Sequence, residues 1–191
     1  FALGVLALDD RPPRGRARDY FERYLRAVES APIATHDPDP AYLNLARIAE
    51  DERRFDEALQ WLERVDDGAQ QFNARLRQAI VLAKMQRIDD SRRLLAETPA
   101  ADDEQRRQLV MAEGQALREV RRFDESYQVL SAALERAPED AALLYDTAMA
   151  AERIGRVDAM EVHLRKLMQL KPDDPHAYNA LGYTFADRNT R

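Results

Sequence analysis

The sequence predicts an all-α protein, an α-solenoid of helix-turn-helix repeats set in a row. Three observations carry that prediction. An arginine–apolar–aspartate mark occurs four times, as Arg54-Phe55-Asp56, Arg87-Ile88-Asp89, Arg122-Phe123-Asp124 and Arg156-Val157-Asp158, in steps of 33, 35 and 34 residues. Seven residues after each apolar member stands a leucine (Leu62, Leu95, Leu130, Leu164), and eight before each arginine a small residue (Ala46, Ala79, Gly114, Ala148). Pro138 and Pro172 close two of the repeats, since proline cannot continue a helical ladder. A sustained period of this length is the signature of a repeat array, in which each unit buries its apolar face only against its neighbours.

Taken in order, residues 1–38 form a partial repeat whose second helix lies near Ala17–Ala27, with the basic run Arg11–Arg18 as its internal turn. Residues 39–71, 72–106, 107–140 and 141–174 are full repeats, and 175–191 opens another. In each full repeat the small residue lets helix A approach helix B closely, and the leucine fills the space beside it. The arginine–apolar–aspartate mark is the turn between them. Ala58, Ser91 and Ser126 are the small residues of helix B, while Met160 is larger and predicts a repacked joint. Pro99 falls early, so helix B of the second full repeat is expected to be short, followed by an acidic loop over residues 100–104. Asp140 and Asp174 are placed to cap the helices that follow, and Pro40 and Pro175 to sit in a first helical turn, where a missing N–H costs little. Glu113 is expected at the edge of the buried stripe, reaching solvent. Leu3, Val5 and Leu6 at one end, and Leu181 and Phe185 at the other, lack evident partners in the sequence. A solenoid needs polar end caps, so the expectation is a native protein that continues in both directions.

Composition narrows the function. The chain has 191 residues, 45% hydrophobic and 34% charged, a balance that suits a one-layer stack with much wetted surface. Its net charge of −6 gives no general attraction to nucleic acid or anionic lipid. There is no cysteine, which removes disulfides and thiolate chemistry and leaves the compartment open. No apolar run approaches the roughly 20 residues of a membrane span. His36, His163 and His176 have no metal-ligand spacing. The acid pairs Asp37/Asp39, Asp102/Asp103 and Asp173/Asp174 fall at predicted turns, where aspartate caps helices. No glycine-rich phosphate loop, calcium loop or nucleophile elbow is present. These readings predict no enzyme activity, no cofactor, no metal, no nucleic acid and no small-molecule substrate.

The marks resemble the tetratricopeptide (TPR) pattern, most closely in PHAYNALGYTFADR from Pro175, where Tyr178, Leu181, Gly182 and Phe185 match its aromatic, leucine, glycine and aromatic positions. The resemblance covers nearly the whole chain and implies a right-handed superhelix with a concave groove. The implied groove residues are those opposite the packing stripe at 100° per residue: Leu43 and Arg47, Leu76 and Ile80, Met111 and Gln115, Tyr145 and Met149, Asn179 and Tyr183. Glu50, Lys84, Arg118, Glu152 and Arg153 stand alongside as a polar border. Such a face suits an amphipathic helix or extended segment of a partner protein. The lysine–asparagine clamp by which some TPR modules hold chaperone C-termini is absent, because Leu43, Arg47, Leu76, Ile80 and Met111 occupy those positions.

The expected function is a non-catalytic scaffold or adaptor binding a peptide or helix. The alternatives are self-association through uncapped ends, or a regulatory segment of a larger enzyme. The segment LGYTFADR and the arginine-rich composition are similar to multi-TPR proteins of proteobacteria, some of them outer-membrane lipoproteins that act as adaptors. That similarity leaves the location open between periplasm and cytoplasm.

Overall fold

The computed structural model describes residues 14–30, 37–66 and 68–189, with side chains described over 16–30, 37–66, 68 and 70–182. Among these residues every regular element is an α-helix, ten in all: α1 Arg14–Ser30, α2 Asp39–Asp51, α3 Phe55–Leu62, α4 Gly68–Lys84, α5 Ile88–Glu97, α6 Asp103–Glu119, α7 Phe123–Arg136, α8 Ala141–Arg153, α9 Val157–Leu170 and α10 Pro175–Asn189.

The recurring arginine mark has a definite backbone meaning. Arg53, Gln86, Arg121 and Gly155, each directly before a marked arginine, adopt left-handed φ of 60°, 63°, 62° and 73°. Their N–H groups donate three residues back, to Glu50, Ala83, Arg118 and Glu152. The arginine N–H groups donate five residues back, to Ala49, Leu82, Leu117 and Ala151, at 2.8–2.9 Å. This pair of bonds closes the last turn of an α-helix by satisfying carbonyls that would otherwise lack partners. The next helix begins one residue later, with Asp56, Asp89, Asp124 or Asp158 in its first turn, where the helix dipole favours negative charge.

Other helix starts follow the same chemistry. Asp102 accepts from the N–H of Gln105 at 2.8 Å, and Asp140 from Ala142 and Leu143 at 2.9 and 3.0 Å. Asp174 accepts from the N–H of His176 at 2.9 Å. Pro40 lies in the first turn of α2 and Pro175 opens α10. α7 and α9 stop at Arg136 and Leu170, two residues before Pro138 and Pro172. Ahead of Pro99, α5 ends at Glu97, while Thr98 turns its hydroxyl to the carbonyl of Leu94 at 2.7 Å.

The chain forms two compact units, residues 1–98 and 99–191. Within the first, α1 packs on α2, α2 on α3, α3 on α4 and α4 on α5, with α2 also touching α4. Within the second, α6 packs on α7, α7 on α8, α8 on α9 and α9 on α10, with α6 also touching α8. Each helix therefore leans mainly on its sequence neighbours, the packing of a repeat array. The predicted small residues and leucines fill these joints: Ala46 with Ala58 and Leu62, and Ala148 with Met160 and Leu164, all at most 1% exposed. At Gly114 a Cβ would stand only 3.1 Å from Leu130, and the Ser126 hydroxyl donates to the Gly114 carbonyl at 2.9 Å.

Several expectations are corrected. Leu181 does have partners: α10 packs on α9, leaving Leu181 7% exposed in a cluster with Leu164, Leu167 and Ala177. Arg14–Arg18 belong to α1 and are not turn residues; the helix extends back from Ala17 to Arg14 despite Gly15, since one glycine costs a helix only about 1 kcal/mol. Arg18 bonds Glu52 at 3.2 Å and also Glu57, tying α1 to the start of α3. Burial raises the Glu57 carboxyl, but the hydrogen bonds from Arg18 and Trp61 outweigh it and hold the group below its ordinary value. Glu113, by contrast, is partly exposed, as a place at the edge of the buried stripe implies, and it has a partner. α4 and α6 begin at Gly68 and Asp103. Leu3, Val5, Leu6, His36 and the Phe185 side chain lie outside the described residues.

Candidate functional site

In the second unit the structure brings three of the groove candidates together. Tyr145, Met149 and Asn179 line a cleft of about 270 Å³ between α8 and α10, with Glu152, His176 and Ala180. Tyr145 and Met149 are four apart on α8, so both side chains fall on one face. They are half-buried and lean on the core beneath, while Asn179 is exposed. Tyr145 meets the His176 ring edge-on, centroids 6.3 Å apart at 70°. The cleft offers apolar surface, one amide, one imidazole and one carboxylate. Nothing in it is arranged as a nucleophile with its base.

A second cleft of about 460 Å³ lies along the C-terminal ends of α6 and α8, lined by Gln115, Arg118, Glu119, Arg121, Phe123 and Arg153. Gln115 is a sequence-predicted groove residue; Arg118 and Arg153 belong to the predicted border. Arg121 and Phe123 come from the turn and the start of α7, which the periodic count leaves out of the face. Nearby, burial pushes the half-buried Asp146 carboxyl up, opposed by the charge of Arg118. Met111, half-buried on α6, packs against the unit's core and lines neither cleft. The Tyr183 side chain lies outside the described residues.

The first unit is different. Ile80 is buried at 9% exposure, Leu43 and Leu76 are half-buried, and Arg47 is exposed. Leu43 packs against the cluster formed by Ala46, Leu62 and Val81. Its predicted polar border is consumed internally. Glu50 accepts from Arg77 and from Lys84 at 3.2 Å, and its own side chain is only 9% exposed. Thus α2 and α4 are joined across this face by a charge pair. The single tryptophan, Trp61, stacks on Tyr42 with centroids 6.0 Å apart, and the Arg64 guanidinium lies 4.8 Å from the indole centre. Among the described residues no three histidine, aspartate or glutamate side chains are grouped to hold a metal ion. No described helix is long and apolar enough to cross a membrane.

Comparison with known proteins agrees with this architecture. The family model described as tetratricopeptide repeat matches residues 1–74 and 111–159. The TPR repeat-containing protein PA4667 of Pseudomonas aeruginosa is 36% identical over 153 residues, which is 80% of this chain and 26% of that protein. The chain thus spans about a quarter of the length of that curated relative. Among solved structures, YrrB, described as a TPR protein with an unusual peptide-binding site, superposes with a TM-score of 0.50 at 17% identity, covering 88% of this chain and 83% of that one. MamA 41-end from Desulfovibrio magneticus RS-1 gives 0.48 at 18% identity, over 82% and 88% of the two chains. By the family match and by its curated relative, the chain belongs to the tetratricopeptide repeat family.

Proposed function

We propose that this chain is a non-catalytic scaffold or adaptor that holds a peptide or helix of a partner protein against the exposed faces of its first-of-pair helices. In this reading residues 39–71, 72–106, 107–140 and 141–174 are the repeat units of the scaffold. The observation that supports it most is the α8–α10 cleft, where Tyr145, Met149 and Asn179 meet on a face that helix pairing within the repeat does not occupy. Half-buried apolar anchors with a polar rim are what a peptide-binding surface needs. The thioether of Met149 adapts to varied side chains, which favours tolerance among partners.

The test is a pull-down with three forms of the chain. Met149→Glu places a charge in the cleft and is expected to lose bound partners at least tenfold. Val162→Glu, on the face of α9 where Val162 is 65% exposed, is expected to retain them. Circular dichroism checks that both variants keep native helicity. Equal retention by the two variants would reject the cleft as the binding site.

A further inference from the structure

The second cleft carries more than a general binding role, and the reading of it rests on the proposal above. Several arginines among the described residues are matched with acids. Arg18, Arg54, Arg77, Arg87, Arg107, Arg122 and Arg165, for example, all lie within ion-pair distance of a carboxylate. Arg118, Arg121 and Arg153 have no carboxylate among the described residues within that distance, yet they line one cleft of about 460 Å³. Their surroundings are Gln115, the ring of Phe123 and the acid Glu119, with the half-buried Asp146 near Arg118 but not in an ion pair with it. In a chain of net charge −6 this is a local reversal of sign.

A simpler role exists for two of them. Cations near helix C-termini offset the dipole, and Arg118 and Arg153 stand in the last turns of α6 and α8. That role explains their place along each helix. It does not explain why both, with Arg121, open into one concavity beside an aromatic ring. Nor is the left-handed backbone of Arg121 peculiar to this spot, since Arg53 and Gln86 share it. What points to a ligand is the gathering in one cleft of guanidinium groups that make no ion pair, not the strain.

The two clefts share α8. Met149, in the α8–α10 cleft, and Arg153, in the arginine cleft, are one turn apart on it, about 6 Å along the axis. Passing from one flank of a helix to the other covers roughly 10 Å, the usual spacing of packed helices. The two components together give about 12 Å, and an extended peptide advances about 3.3 Å per residue, so about three to four residues make that crossing.

We infer that the arginine cleft selects acidic side chains in the bound segment: an apolar residue seats between α8 and α10, and an aspartate or glutamate about three to four residues away lies between Arg118 and Arg153. Guanidinium groups suit this task because they present paired donors to a carboxylate. The exposed setting makes the contact sensitive to salt and a source of selectivity more than of raw affinity.

The experiment uses a random peptide phage library, selected in parallel on the native chain, on Arg118→Gln/Arg153→Gln and on Met149→Glu. Both arginines are surface residues, and circular dichroism confirms that the double variant is folded. Peptides selected on the native chain are expected to show aspartate or glutamate enriched severalfold about three to four positions from an apolar anchor. On the double variant the anchor is expected to persist and the acid to disappear. A selected peptide and its Glu→Gln counterpart should differ about threefold to fivefold in affinity for the native chain at low salt, and not at all for the double variant. Acid enrichment that is absent on the native chain, or that survives in the double variant, overturns this inference and leaves the groove reading standing. A peptide set unchanged by Met149→Glu, or no peptide selected by the native chain, overturns the groove reading and this inference with it. A requirement of Arg118 and Arg153 for a phosphoserine peptide or polyuridylate, but not for the glutamate peptide, would reassign the cleft away from acidic segments.

Discussion

Arg53, Gln86 and Arg121 hold φ of 60–63°, a region that L-residues other than glycine enter at a cost of about 1–2 kcal/mol. Gly155 does the same job in the fourth turn without that cost. Gln86→Gly is therefore expected to stabilise the chain by about 0.5–1 kcal/mol, the gain being reduced by the extra freedom of an unfolded glycine. Gly155→Ala should destabilise it by about 1 kcal/mol. No atom lies within 4 Å of the added methyl, so that loss would be backbone strain alone. Thermal unfolding followed by circular dichroism measures both; a neutral Gly155→Ala would mean the turn is not held left-handed in solution. Three of these four positions carry no glycine, and hence no local mark of the turn. What the sequence did show was the arginine after each one, which is recognisable only because it recurs.

At the scale of a helix, α8 depends on how it starts. Asp140 accepts from two backbone N–H groups of its first turn and from Arg107 of α6 at 2.6 Å. Burial pushes the Asp140 carboxyl up, but the hydrogen bonds from Arg107, Leu143 and Ala142 outweigh it, and the group stays below its ordinary value. A carboxyl held low in the folded state contributes stability above the unfolded aspartate value of about 3.9, and that contribution is lost as pH falls through the folded value. Asp140→Ala should therefore cost about 1 kcal/mol near neutral pH, with the gap to the native chain closing in strong acid. Urea unfolding of both forms across pH would check it, and a gap unchanged at the acid end would rule the carboxylate out as its source. The same element shows how far the site could be read from sequence. Tyr145 and Met149 share a face of α8 by spacing alone, and the structure places both in one cleft with Asn179. Met111, identified by the same count, is instead spent on the core, because local periodicity cannot say which neighbour covers a face. Glu50 and Lys84 were legible as border charges, but not as partners of each other.

At the scale of the whole molecule, packing within each unit runs from each helix to its neighbours in sequence, so a lesion should stay local. Leu130→Ala removes the side chain that fills the space against Gly114, at a cost of about 2–5 kcal/mol. Trp61 lies in the other unit, stacked on Tyr42, and serves as its reporter. In Leu130→Ala, denaturation read by circular dichroism should shift to lower urea more than denaturation read by Trp61 fluorescence. Equal shifts in both would show a single cooperative body and contradict the local accounting. The sequence by itself determined the all-helical repeat class, the four marked turns and the small residues and leucines beside them, because these follow from contacts between segments close along the chain. Only the tertiary structure decided which outward side chains are consumed by a neighbour and which are left open. Glu50 and Arg118 look alike as isolated border charges, and what separates them is the ion pairing that a different helix gives to Glu50 and not to Arg118, which no single helix encodes.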